Sequence, residues 1–228
     1  LASIATASGS IYTLNATKII ASTETLVIDS GLTLVIPDGL TLTNNGTIVI
    51  NGTLTNNGGS TGGFVNNSTK TVDVNPGGAI NNSASYFTNN ALGTIIISGG
   101  ATFLIAGDSS VFSNAGTFRN QGIFKVIAFA QCQNSGTFNN EDGVVTNFHG
   151  GSYSVGYFVT TGVVNNSGGH FGGDITLYLT ITDPGVFYNP GPIDTCSQGY
   201  VTTAVEGTLT ESCQPPTPPT PPPPPPPL

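Results

Sequence analysis

The sequence predicts an all-β chain wound as a parallel β-helix, a solenoid of about seven to eight coils. Three observations carry that prediction. An apolar residue followed two positions later by Asn recurs with a period of 22–26 residues, and a repeat of about 20–50 residues sustained along a chain marks a solenoid. Each period is filled by short β-branched and aromatic runs such as "TLVI", "TIVI", "TVDV", "TIII" and "ITLYLTI". Gly-Gly, Asn-Gly, Asn-Asn and Asp-Gly breaks separate them, and no segment shows an apolar stripe at helical spacing with caps.

The repeat runs Leu42-Thr-Asn44, Phe64-Val-Asn66, Phe87-Thr-Asn89, Phe112-Ser-Asn114, Phe138-Asn-Asn140, Val163-Val-Asn165 and Phe187-Tyr-Asn189, with Ile20-Ala-Ser22 opening the series. Leu42, Phe64, Phe87, Phe112, Phe138, Val163 and Phe187 are expected to stack inside as one ladder. Asn44, Asn66, Asn89, Asn114, Asn140, Asn165 and Asn189 are expected at corners, where Asn tolerates left-handed backbone angles and its amide bonds the next coil. The competing architecture is a β-sandwich, because Asn-Gly also signals a hairpin. It accounts for turns every 8–12 residues or so, but not for a register near 24.

Four regions follow: an N-terminal cap strand (1–19), the solenoid (20–189), a C-terminal cap (190–214) and a proline tail (215–228). Caps are expected because open solenoid ends must be shielded or mated. The tail, "PPTPPTPPPPPPPL", favours an extended polyproline II rod of about 3.1 Å per residue. Pro221, Pro222, Pro223, Pro224, Pro225, Pro226 and Pro227 are the expected assembly contacts, laid along a neighbouring subunit. A stalk, or a ligand for SH3- or WW-type grooves, are the other readings. The chain opens at Leu1 without Met, as a processed product or an excised piece does.

Charge narrows the partners. Only 7% of residues are charged, against about 25% in ordinary soluble domains, and the net charge is -8. Four cations (Lys18, Lys70, Arg119, Lys125) supply neither a nucleic-acid footprint nor a basic membrane face. No apolar run approaches the roughly 20 residues of a membrane helix. So charge-poor a surface needs covering, by glycans or by copies of itself. Asn-X-Ser/Thr sites stand at Asn15, Asn45, Asn51, Asn66, Asn67, Asn81 and Asn165. Of the three cysteines, Cys196 and Cys213 bracket a turn-rich stretch and are the expected disulfide, with Cys132 left over, which suits an oxidising compartment. Three buried thiols are the alternative. Metal-ligand spacing such as Cys-x-x-Cys is missing, so neither a zinc site nor any cofactor is expected.

The periodic pattern resembles the parallel β-helix repeats of extracellular adhesins, surface-layer or filament proteins and viral fibres, over about residues 20–190. The resemblance implies an extracellular, cell-surface or virion-surface setting. Many parallel β-helices are polysaccharide lyases or hydrolases, which cluster carboxylates with Arg, Lys or Ca²⁺ on adjacent coils. Here Asp29 and Asp73 fall two coils apart, Asp108 and Asp183 three, and Glu141 and Asp142 adjoin at a turn. Arg119 and Lys125 share a coil free of acids, and His149 and His170 fall at different offsets. "GGHFGGD" (168–174) is a single Gly-rich stretch without regular Asp spacing. The expectation is therefore a non-enzymatic structural subunit that associates with itself. A glycan-binding module reading sugars through Tyr153, Tyr157 and Tyr178 is the alternative, and a polysaccharide-degrading enzyme the third reading.

Overall fold

The computed structural model describes residue 1 and residues 3–146, 156–167, 170–171, 177–181, 186–188, 200–205 and 208–210, with side chains described to residue 145 and over 158–165. The described residues are all-β. A hairpin, β1 (Ala5–Ser8) and β2 (Ile11–Leu14), precedes a series of three-strand windings, six of them through Thr146. These are β3 (Lys18–Ile20), β4 (Thr25–Ile28) and β5 (Thr33–Ile36); β6 (Thr41–Asn44), β7 (Thr47–Ile50) and β8 (Thr53–Asn56); and β9 (Gly63–Asn66), β10 (Thr71–Val74) and β11 (Ala79–Ser83). There follow β12 (Tyr86–Asn89), β13 (Thr94–Ile97) and β14 (Thr102–Ala106); β15 (Val111–Asn114), β16 (Thr117–Asn120) and β17 (Ile123–Ile127); and β18 (Gln131–Asn134), β19 (Thr137–Glu141) and β20 (Val144–Thr146). Beyond them, β21 (Gly156–Thr160), β22 (Val163–Ser167), β23 (His170–Phe171), β24 (Leu177–Ile181), β25 (Val186–Tyr188), β26 (Tyr200–Val205) and β27 (Thr208–Thr210) bring each sheet to nine strands.

The first strands of successive windings form sheet I (β3 to β26), the second strands sheet II (β4 to β27), and the third strands sheet III (β2 to β23). Pairing between windings is parallel throughout. The exception is β1, which runs antiparallel to β2 and closes the N-terminal edge of sheet III. Strands such as "TIVI", "TVDV" and "TIII" alternate, with second and fourth residues buried and first and third outward. That is the period-2 pattern of a sheet with one face in the core. The parallel solenoid expected from the repeat is therefore the fold, with about six turns where the period suggested seven to eight.

The ladder differs from the expected single file. In sheet I, Leu42, Phe64, Phe87 and Phe112 stand in register, and the next member is Cys132, followed by Phe158. Phe138 lies in sheet II, over Phe118. The winding between Phe112 and Cys132 takes 20 residues, the spacing that also separates Asn114 from Asn134, because two-residue turns join β15 to β16 and β16 to β17. The 26-residue step to Phe138 therefore crosses from one sheet to another. Val163 is a second correction: it faces outward, 37% exposed, and its neighbour Val164 fills the core above Phe138. Phe187 falls in register with Val164, in sheet II, not sheet I.

What the interior forms is one aromatic cluster fed from three sheets. Phe64 and Phe87 stack at 4.3 Å, Phe118 and Phe138 at 4.7 Å. Phe103 and Phe124 enter from sheet III and bridge the two files. All are fully buried, and each buried side chain of this size contributes about 1.5–3 kcal/mol in transfer free energy.

Candidate functional site

The corners are held by buried amides. Where sheet I bends into sheet II, Asn44 Nδ2 donates to Asn66 Oδ1 (2.8 Å), Asn66 to Asn89 (2.8 Å), Asn89 to Asn114 (2.7 Å) and Asn114 to Asn134 (2.7 Å). Asn134 ends the file by donating to Thr160 Oγ1 at 3.0 Å. The second N–H of each amide reaches main-chain carbonyls just past the bend, Thr71, Thr94, Thr117, Thr137 and Val163. A main-chain carbonyl buried at a bend without a donor would cost free energy comparable to a lost hydrogen bond.

The same device recurs at the other corners. Asn56 donates to Asn82 (2.7 Å) where sheet III returns to sheet I, and Asn120 to Asn140 (2.7 Å) where sheet II enters sheet III. Asn140 thus belongs to a different corner from Asn44, Asn66, Asn89 and Asn114. Asn165 is a correction: it is outward, and its Nδ2 donates to Asn139 Oδ1 at 2.9 Å. Asn189 lies outside the described residues. None of the described corner Asn has a positive φ, so the left-handed backbone expected of them is not their role. The glycine two positions past the corner residue has a steric role: a Cβ on Gly116 would meet the Gly93 carbonyl oxygen, on Gly136 that of Gly116, and on Gly162 that of Gly136. The backbone of each winding rests on the one before.

Two files begin with an orphan. Asn56 Oδ1 and Asn120 Oδ1 have no hydrogen-bond partner, because Ile36 and Ile97 occupy their positions one winding earlier. Sequence reasoning named neither residue. The signal was present as the repeated "TLTN", "TFRN" and "TFNN" within single periods.

The sequons divide by exposure. Asn66 is fully buried with its amide committed inside, which removes it as an acceptor in the folded chain. Asn15 is exposed, while Asn45, Asn51, Asn67, Asn81 and Asn165 are half-buried. Asn67 Nδ2 is engaged with Asn45 Oδ1 at 2.5 Å, and its Oδ1 accepts from Asn90 at 2.8 Å. Cys132 is buried and free, and burial pushes its thiol pKa well up. Cys196, Cys213 and Pro221 to Pro227 lie outside the described residues.

Charged groups are scattered. Arg119 pairs with Glu141 across neighbouring windings of sheet II, at 3.1 and 2.8 Å, with side chains 41% and 29% exposed. The hydrogen bond to Arg119 holds the Glu141 carboxyl below its usual range, and the same bond raises Arg119. This pair was missed in the sequence, although its 22-residue separation is one winding. Asp73 is pushed up by burial. Asp29 lies beyond the end of β4, whereas Asp73 sits within β10, and Asp108 is exposed. Among the described residues no group of three His, Cys, Asp or Glu converges as metal ligands would. His170 is placed by its backbone alone, opposite Val144, while His149 and Asp183 are outside the described residues.

Clefts open among the described residues at the N-terminal end and on the outer face of sheet I. One, of about 400 Å³, lies at the N-terminal end among Leu1, Ile4, Lys18, Ile20, Glu24 and Leu26. Two lie on the outer face of sheet I: about 240 Å³ beside Tyr86 and about 260 Å³ beside Gln133 and Val159. Of the expected tyrosines, Tyr157 and Tyr178 fall by backbone register in the same file as Tyr86, Val111 and Gln131; Tyr153 is outside the described residues. No family model matches the chain, and no curated protein or solved structure matches it either.

Proposed function

We propose that this chain is a structural subunit of an extracellular or virion-surface assembly, a filament, sheath or coat of the kind its repeat pattern resembles. Its mechanism is passive: a stiff rod of stacked windings whose end mates with another copy, with the proline tail laid along a neighbour. The observation that carries this reading is the N-terminal end. Strands β3 and β4 terminate sheets I and II, with no strand beyond them among the described residues. On the same winding Ile19 and Val27 project outward and exposed, as does Ile11 on β2. A strand edge without a partner strand, flanked by apolar side chains, is a template for pairing with another chain. The charge-poor surface adds little repulsion between copies. Arg119 and Glu141 are committed to each other, and among the described residues no three His, Cys, Asp or Glu side chains converge, an arrangement suited to a scaffold more than to a reaction.

Sedimentation velocity and negative-stain microscopy of the full chain test this. Concentration-dependent polymer is expected, lost in an Ile19→Lys/Val27→Lys variant that keeps its β circular dichroism. Monodisperse single rods at every concentration overturn the reading. Removing residues 215–228 tests the tail separately: polymer unchanged by that deletion makes it a spacer.

A further inference from the structure

We propose that the outer face of sheet I carries a binding site for a neutral saccharide, in the cleft between Tyr86 and the loop 57–62. Tyr86 opens β12 and is 48% exposed as a residue, an uncommon state for a large aromatic on a strand. The file it belongs to reads Thr41, Gly63, Tyr86. Gly63 leaves a gap beside the ring, and close packing fixes that gap: a Cβ there would strike the Tyr86 carbonyl oxygen.

The opposite wall is built. Loop 57–62, between β8 and β9, folds back on itself at a glycine base. Gly39 N–H donates to the Gly58 carbonyl at 3.0 Å and Gly63 N–H to the Leu40 carbonyl at 2.9 Å. A Cβ on Gly58 would hit the Gly63 nitrogen, and one on Gly62 the Leu40 oxygen. This base holds Ser60 and Thr61, both exposed, at the rim of the cleft.

The lining selects the ligand. A pyranose has an apolar C–H face and a rim of hydroxyls. The flat Tyr86 ring offers an amphipathic surface at small entropy cost. The side-chain hydroxyls of Thr41, Ser60, Thr61 and Thr88 make no hydrogen bond among the described residues, and each is donor and acceptor at once. No charged side chain lines the cleft, so an acidic sugar would lose hydration without gaining a cation. At about 240 Å³ the cleft suits a single sugar unit of a longer chain lying on the face. This site is independent of the assembly reading.

The test titrates the full chain with neutral tetrasaccharides of glucose, mannose, galactose and N-acetylglucosamine, and with tetragalacturonate, following amide shifts by NMR. At least one neutral probe is expected to bind, with Kd on the order of 1 mM. Its shifts should centre on Thr61, Gly63, Tyr86 and Thr88. Tyr86→Ala should weaken binding at least about tenfold, and Tyr86→Phe less than about threefold. Thr61→Arg, on the exposed loop, should block the cleft and serves if Tyr86→Ala fails to fold. The proposal is overturned by no shift with any neutral probe at about 20 mM, by shifts away from the cleft, by tighter binding of tetragalacturonate, or by binding that survives Thr61→Arg.

Discussion

Asn114 accepts a 2.7 Å hydrogen bond from Asn89, a residue 25 positions earlier in the chain and one winding away in space. Asn89 in turn accepts from Asn66, and its second N–H serves the Thr117 carbonyl. Asn89→Leu strips partners from both neighbours in the file and from buried carbonyls, and should cost about 3 kcal/mol. Asn120→Leu, at a file end whose Oδ1 is already unpartnered, should cost at least about 1 kcal/mol less. Urea unfolding of both variants measures the difference; equal losses would show that shape at the corner matters and the amide file does not.

Phe112 sits against Phe103, Phe118 and Phe124 at 5.1, 5.1 and 5.8 Å. Phe112→Ala should cost about 3–5 kcal/mol, as truncations of buried phenylalanines do. Cys132 occupies the next place in that file, with Phe112 before it and Phe158 after it in register, and Phe138 of its own winding packs against Phe158 at 5.1 Å. Cys132→Phe should therefore destabilise by about 1–3 kcal/mol through overpacking. A gain in stability would mean the interior has room for a continuous phenylalanine column.

The Cys132 thiol is buried, and burial holds it protonated. Thiolate is the reactive form, so alkylation of the Cys132 peptide by iodoacetamide at pH 8 should follow global unfolding. Mass spectrometry should find it unlabelled in native protein and labelled in urea. Native labelling at the rate of a free thiol contradicts the burial.

Stability should carry a small acid-sensitive contribution from Arg119–Glu141. The folded carboxyl titrates below its unfolded value, so its stabilisation is present above the unfolded pKa and disappears as pH falls through the folded one. Exposure limits the pair to roughly 0.5 kcal/mol. Asp73 acts in the opposite sense: raised by burial, it favours the fold once protonated. Glu141→Gln should cost about 0.5 kcal/mol at pH 7 and nothing near pH 3. A difference that persists at pH 3 assigns the loss to packing.

In a secretory host, glycans should be found on Asn15 in folded, secreted material and never on Asn66. Transfer precedes folding, so a chain modified at Asn66 would have to bury a polar branched sugar inside the corner file. Glycopeptide mapping settles the distribution, and an occupied Asn66 in native protein contradicts the buried placement.

Local chemistry made much of the molecule legible. The run "TLTNNGTIVINGTLTN" states the strand alternation, the amide positions and the glycine corners within one winding, because each depends on neighbours two or three residues apart. The ladder was legible as far as Phe112 and then lost its phase. The winding from Phe112 to Cys132 uses two-residue turns, Cys132 takes a phenylalanine position, and Phe138 repeats the motif in the wrong sheet. The cleft beside Tyr86 was not legible, since Gly63 meets Tyr86 only after 22–23 residues of winding.

By itself the sequence determined that this chain is a stack of parallel strands with buried apolar files and amide corners, because strand propensity, alternation and close-packed glycine are local properties. Only the tertiary structure decided which winding each side chain joins, which of three corners each Asn serves, and where the outer face opens into a cleft. The physical reason is that loops outside the core absorb insertions without strain, so windings vary from 20 to 26 residues while the inner register stays fixed. That register is a property of stacked backbones, and it exists only once they are stacked.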